Sequence, residues 1–452
     1  MALMRFGPWS GVDLRTHFDD VSDALDDAVN VQLTSAKQVE RRPAVVYAFE
    51  MSEHSVGLYT GGSRLRSAVT ESTAAPVPFL KYDLIDDGDY SKVLNVAIDG
   101  LDQPYMLIER TLGGIEVHYS RASKASRQQL PFTPEAALAA ADGRVWMLDK
   151  ATGWGRYTAI GDWTMWKEGG ATVDNYIDIP RMAKGARARS LGMFMGRLAF
   201  FGDSVILIYR TGPSPDMIAI ENAIFGAGTS HSQAIIPTPD DTLYLGHGLF
   251  RRLRNSSITM DAKDDPFGSP IEGWSRTINL GDNLIGYFSP SMGRALFAKG
   301  STVYVCNLQA GGGFTRWELP VEPSAFAEHG KDTFFRAGNR AYRFDRKVDR
   351  DMLHDGPKDI PLLALPKDGH GGTLSQKSLH VLSTLQTGPC KVRMMLDGRL
   401  AMPFMMPGRG TTRAYVDLTG EGRSIGMRIE HDAAPAEWSI SGAVIEHQPT
   451  GG

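Results

Sequence analysis

Leu198-Ala199-Phe200-Phe201-Gly202-Asp203-Ser204-Val205-Ile206-Leu207-Ile208-Tyr209 is a short apolar strand, a glycine turn and a second strand. Glycine and its small polar neighbours supply the backbone angles that tight hairpins need. The same figure recurs on both sides. Val56–Tyr59 turns at Gly61-Gly62 into Arg64–Ala68, and Tyr105–Glu109 turns at Gly113-Gly114 into Ile115–Tyr119. Arg144–Leu148 runs through a longer loop into Arg156–Ile160. Thr242–Leu245 turns at Gly246-His247-Gly248 into Leu249–Leu253, Ala295–Ala298 at Lys299-Gly300 into Ser301–Cys306, and Thr333–Arg336 at Gly338-Asn339 into Arg340–Phe344.

The first strands of these hairpins begin at residues 56, 105, 144, 198, 242, 295 and 333, so successive starts lie 38 to 54 residues apart. That scatter brackets the ~40–50 residues of a four-stranded propeller blade. One hairpin cannot bury its apolar face alone, whereas a ring of small sheets can. The reading is an all-β chain with an irregular β-propeller of six or seven blades over residues 46–350. No blade carries a sharp signature such as a repeated Trp-Asp, so another all-β arrangement stays open.

The flanks differ in texture. Residues 1–45 form an arm in which Asp19–Val29 (DDVSDALDDAV) predicts a short acidic helix, because Val21, Ala24, Leu25 and Ala28 share a face. A second short helix is predicted at Ala136–Ala141 behind Thr133-Pro134-Glu135, with proline at its first position. Residues 351–369, charged and proline-bearing, read as a linker. Beyond them Ser378–Thr384, Cys390–Leu396, Thr412–Leu418, Ser424–His431 and Glu437–Glu446 alternate between turns, which suggests a C-terminal β-sandwich over 370–452.

Composition narrows the function. The 452 residues are 42% hydrophobic and 22% charged, enough for an ordinary core, and the 49 glycines and 25 prolines favour many short strands. With 48 basic and 52 acidic side chains the net charge is −4, so the bulk lacks the basic excess of a nucleic-acid binder. Cys306 and Cys390 are the two cysteines, too few for a disulfide framework, which fits a reducing compartment. The opening Met-Ala-Leu-Met-Arg-Phe-Gly-Pro-Trp has no apolar stretch of a secretion signal, and no run reaches the ~18 apolar residues of a membrane span.

No motif points to a catalytic residue, a cofactor or a metal. Gly422-Arg423-Ser424-Ile425-Gly426 matches the pattern of a nucleophile elbow, but Met427-Arg428-Ile429-Glu430 continues as a strand where an elbow needs a helix. Asp86-Asp87-Gly88-Asp89 and Asp261–Asp265 lack the full calcium-loop frame and read as solvated turns, with a weak calcium site left open. Trp154, Tyr157, Trp163 and Trp166 read as packing between strands. Arg181, Lys184, Arg187 and Arg189 (RMAKGARARS) form a basic cluster before a predicted strand. It is read either as a solvated loop or as a contact for DNA phosphates or an acidic partner.

Four segments carry a resemblance. Phe6-Gly7-Pro8-Trp9-Ser10-Gly11-Val12-Asp13 precedes the acidic stretch, and Asn30-Val31-Gln32-Leu33 leads to Arg41-Arg42-Pro43. Gly196-Arg197-Leu198-Ala199-Phe200-Phe201-Gly202 precedes the central hairpin, and Gly228-Thr229-Ser230 runs on to Gly246-His247-Gly248-Leu249-Phe250. In this order they resemble the tail nozzle of short-tailed phages, the tail tubular protein B or packaged-DNA stabilisation family. The resemblance implies a structural virion protein made in the host bacterial cytoplasm. Such a protein forms a ring, usually of six copies, beneath the tail adaptor. It extends the channel for double-stranded DNA without sequence specificity, helps retain the packaged DNA, and docks tail fibres or spikes. Two rivals remain on the residues alone: a receptor-binding or baseplate-type tail protein with a propeller, and a propeller glycoside hydrolase or lyase using paired carboxylates.

Overall fold

In the computed structural model the described residues are 2–6, 11–12, 24–34, 36, 38–70, 77, 79–85, 88–121, 124–167, 175–255, 261–279, 282–308, 313–366, 369–374, 377–386, 388–396, 399–400, 404–406, 410–419 and 422–447. Each of the seven hairpins read from the sequence falls in its own sheet-forming unit, and the units make a seven-bladed propeller. Blade 1 is Ser55–Gly61, Arg64–Val69 and Leu80–Leu84. Blade 2 is Tyr90–Ile98, Pro104–Arg110, Ile115–Arg121 and Lys124–Gln128. Blade 3 is Pro134–Ala141, Arg144–Asp149, Gly155–Tyr157 and Tyr176–Ile177. Blade 4 is Ala188–Phe194, Arg197–Gly202, Val205–Arg210 and Ala219–Phe225. Blade 5 is Ile236–Pro237, Thr242–Gly246, Leu249–Asn255 and Ala262–Asp265. Blade 6 is Leu284–Ser289, Arg294–Lys299, Thr302–Asn307 and Gly313–Glu318.

Blade 7 takes Ala325–His329, Asp332–Ala337 and Arg340–Asp345 from late in the chain and Ala44–Glu50 from its beginning. Ala44 lies opposite Asp345 and Glu50 opposite Arg340. The N-terminal strand therefore closes the ring. Thr60 Oγ1 of blade 1 ties the same junction, donating to the Glu328 carbonyl at 3.1 Å and accepting from its N–H at 2.7 Å.

The central strands are buried on both faces, as in Val205–Arg210 and Arg144–Asp149, and this is why they read as apolar runs. Met195-Gly196 and His247-Gly248 both turn with two successive positive φ angles, the hairpin geometry that matches strand twist. Gly202, expected in the turn, lies in the strand; the turn is Asp203-Ser204. A Cβ on Gly202 would sit 2.6 Å from the Arg187 carbonyl. One on Gly228 would press on the Gly202 carbonyl, and one on Gly246 on the Gly228 carbonyl. These three glycines let main chain stack on main chain between blades 4 and 5.

Both helix expectations are overturned where the residues are described. Ala24–Val29 is a strand, with Leu25 and Ala28 fully buried. Its register against Leu363–Pro366 skips Asp26, so the buried positions fall three apart and mimic a helical face. Residues 13–23 lie outside the described set. Pro134–Ala141 is the innermost strand of blade 3. Seven innermost strands converge there, and alanine fits the crowded axis, so packing overrides its helix preference.

The last 80-odd residues add two further sheets. In one, Val31–Leu33, Val39–Arg41, Ser439–His447, Lys377–Gln386 and Gly410–Thr419 lie in that order, with Ala2–Phe6 beside Ser439–His447. In the other, Ala24–Val29, Leu362–Pro366, Gly422–His431 and Cys390–Leu396 extend blade 6 outward, joined where Val29 faces Arg316. The sheets share a core of Leu33, Val39, Val392, Met427, Ile429, Trp438 and Ile440, continuous with Phe250, Phe297 and Phe314 of blades 5 and 6. The stretch expected as a linker holds strands at Asp351–Leu353, Gly356–Lys358 and Leu362–Pro366, the first alongside Ala44–Glu50.

Candidate interaction surfaces

Apart from the parallel pair Arg64–Val69 and Leu80–Leu84 of blade 1, successive strands of a blade are antiparallel, so connections emerge alternately at its two ends. The blade-to-blade crossings therefore share one face of the disc with the turns of the central hairpins. On that face the crossing from blade 3 to blade 4 carries the basic cluster. Asp178 caps the short helix Ile179–Met182, accepting from the Arg181 N–H at 3.1 Å. Lys184 and Gly185 then turn the chain with positive φ towards the innermost strand of blade 4.

Three of the four cations are thereby spread from the innermost strands to the rim. Arg189 reaches the innermost strands, where the register skips it and its Nη1 lies 3.3 Å from Glu135 Oε1 of blade 3. Arg187 packs beside Gly153 in the hairpin turn of blade 3. Lys184 Nζ stands 4.8 Å from the ring centre of Phe225 at the rim. Arg181, Lys184 and Arg187 are exposed, and among the described residues none of them pairs with a carboxylate. Glu135 and Phe225 lie far from the cluster in sequence, and no local signal marks them.

The axis is bridged on the same face. Gln233, in the crossing between blades 4 and 5, donates from Nε2 to the Leu94 carbonyl of blade 2 at 2.7 Å. Leu94 is free to accept because the register between the first two strands of blade 2 skips it. Lys92 of blade 2 likewise reaches Asn283, before blade 6, at 3.0 Å.

A cleft of about 560 Å³ opens between blades 2 and 3, lined by Glu116, Arg127, Gln128, Leu130 and Phe132 among others. Glu116 accepts from Tyr90 Oη at 3.0 Å, Arg110 Nη1 at 3.3 Å and Arg127 Nη2 at 3.2 Å. Burial, then the hydrogen bond to Glu116, pushes Tyr90 up to about 12. Glu116 is the lone carboxylate among the residues lining this cleft, so the pair that glycoside hydrolysis uses is not assembled there.

The other sequence candidates are accounted for by structure. Asp264 and Asp265, read as part of a solvated turn, lie in a strand of blade 5. Arg251 and Tyr244 hold Asp264, and Arg252 and Arg254 hold Asp265 at 3.0 and 3.1 Å. Asp86 and Asp87 lie outside the described residues. Gly422–His431 is one continuous strand, so Ser424 is not at an elbow. Trp163 and Trp166 pack between blades 2 and 3, Tyr157 lies against Trp146, and Trp154 stacks on Tyr176 at 4.1 Å. No cluster of three metal-ligating side chains occurs among the described residues, and none of their helices is long and apolar enough to cross a membrane.

No protein-family model matches the chain, and no curated protein matches it. Similar solved structures include an exo-β-1,3-galactanase from Phanerochaete chrysosporium, with 9% identity over 86% of this chain and 99% of that chain and a TM-score of 0.31. BamB from Moraxella catarrhalis has 8% identity over 67% and 97% at 0.35. The Pan2 WD40 domain of Neurospora crassa has 12% identity over 67% and 88% at 0.37.

Proposed function

We propose that the protein is a structural, non-catalytic component of a phage tail: a nozzle subunit that assembles as a ring, with six copies the expected number. The ring sits beneath the tail adaptor, extends the channel for double-stranded DNA, helps retain that DNA, and docks fibres or spikes. The observation that carries the reading is the placement of the segments on which the resemblance rests. Trp317 Nε1 donates to the Val31 carbonyl at 2.8 Å, and Arg294 grips Gln32 and the Leu33 carbonyl at 2.7 and 2.8 Å. Asn30 Oδ1 accepts from Arg42 Nε at 3.0 Å and from the Glu318 N–H at 2.8 Å. Asn30-Val31-Gln32-Leu33 and Arg41-Arg42-Pro43 thus tie blade 6, and through Asp351 the closing strand Ala44–Glu50, to the C-terminal sheets. A wall that must hold DNA under pressure needs such long-range ties.

Because Gln233 bridges the propeller's own axis, the DNA path in this reading runs between copies and not through one. Basic side chains on the crossing at 181–187 would then meet phosphate without reading sequence. Electron microscopy of the purified protein, alone and with its cognate adaptor, tests the proposal. A closed ring with an open bore is expected. A protein that stays monomeric under both conditions, or that releases reducing sugar from polysaccharide, overturns it.

A further inference from the structure

The outer edges of the seven blades are treated unequally. Those of blades 1, 6 and 7 each carry a parallel neighbour: Leu84 faces Lys124 of blade 2, Arg316 faces Val29, and Val46 faces Met352. The outer strand of blade 5 is short, and its aspartates are held by arginines. That of blade 3 has two residues. Blade 4 differs: Ala219–Phe225 (AIENAIF) is seven residues long and mostly apolar, and no described strand lies on its far side. Proteins blunt such edges, because unpaired main-chain groups template another strand. Here the register skips Glu221, which Arg197 holds at 3.2 Å, and the regular edge is Asn222–Phe225.

Beside this edge lies an apolar strip. Phe225 is 51% exposed and Ile220 39%, and Tyr176 and Met182, in the chain that leads from blade 3 to blade 4, are exposed too. Phe225 and Ala223 lie opposite Val205 and Leu207, whose core is shared with blade 3. The two-residue outer strand of blade 3 is too short to cover them. At the Phe225 end stands Lys184, over the ring, three residues beyond the exposed Arg181.

We infer that this edge binds an extended segment of a partner protein, added as a strand parallel to Ala219–Phe225, with acidic residues at its C-terminal end. The three outer-edge pairings of the same molecule are all parallel and set the direction. A parallel strand brings its C-terminal end to Phe225, and there Lys184, with Arg181 three residues before it in the chain, supplies the complementary charge. Main-chain bonds give the affinity, and the apolar strip takes alternate side chains. The inference needs only a single copy, and it gives Arg181 and Lys184 to an acidic partner where the ring reading gives that crossing to DNA phosphate.

The test is selection of a random peptide library, displayed on cells, against the full-length protein. Enriched peptides should alternate apolar residues and end in Asp or Glu. A synthetic copy of the enriched sequence should bind about tenfold more weakly to Lys184→Glu combined with Arg181→Glu, the loss of charge-assisted contacts. Phe225→Glu should abolish binding. All three side chains are exposed, so unfolding midpoints should stay unchanged. No enrichment, enrichment without acidic ends, binding indifferent to these changes, or self-pairing of the protein through this edge overturns the inference.

Discussion

Arg42 and Asp351, 309 positions apart, meet in a two-pronged ion pair, Nη1 to Oδ1 at 2.9 Å and Nη2 to Oδ2 at 2.6 Å, both side chains 2% exposed. Asp351 Oδ1 also accepts from the Val45 N–H at 2.7 Å. Asp351→Ala would leave a buried guanidinium and a buried N–H without their acceptor. The expected cost is about 3–5 kcal/mol, read as a lower urea midpoint for the propeller. Arg42→Met with Asp351→Leu should cost less than Asp351→Ala alone, since no buried charge is then stranded.

The glycine stack between blades 4 and 5 gives a contrast within one residue type. Gly228→Ala and Gly246→Ala must push main chain off main chain and should leave little soluble folded protein. Gly196→Ala meets no atom but sits at φ 76, so it should fold with a loss of about 1 kcal/mol. Expression yield and unfolding midpoints separate the two classes.

Alkali should unfold the protein before its tyrosines ionise freely. Burial raises Tyr90 and Tyr209 from 10.0 to about 12. Between those values the unfolded chain has lost protons that the folded chain keeps, so stability falls as pH rises. Full stability below pH 10 and progressive loss towards 12 are expected, followed by tyrosinate absorbance. Tyrosines that all titrate near 10 in a folded protein would contradict this.

Cys306 and Cys390 are buried, and desolvation pushes both thiols up. A maleimide reagent at neutral pH should leave both unmodified in the native protein and modify both in denaturant. Mass spectrometry reads the count directly.

How much of this was legible in the sequence depends on the range of the interaction. The first strand of each hairpin is a largely buried apolar run that ends at a turn, so local pattern revealed all seven. The innermost strand Pro134–Ala141 and the outer strand Ala219–Phe225 lack that pattern, because they face the axis and the rim. The helix reading of Ala24–Val29 failed on one skipped residue, Asp26. Gly202 was visible as a special position, but the Arg187 carbonyl it must admit was not. The basic cluster was plain as composition. Its radial spread, and the neutralisation of Arg189 by Glu135, depend on a residue 54 positions earlier. Asp351 looked like one more linker charge, and only the folded ring reveals Arg42 as its partner.

Closing blade 7 with Ala44–Glu50 also sets a schedule for the nascent chain. The strand leaves the ribosome early, yet its partner Arg340–Asp345 follows almost 300 residues later. At about 5–20 residues per second the wait is roughly 15–60 s. Throughout it the ring is an open arc, and the segment that will lock it must stay extended and uncommitted. Any factor that sequesters the first fifty residues during synthesis would delay closure without touching a single blade.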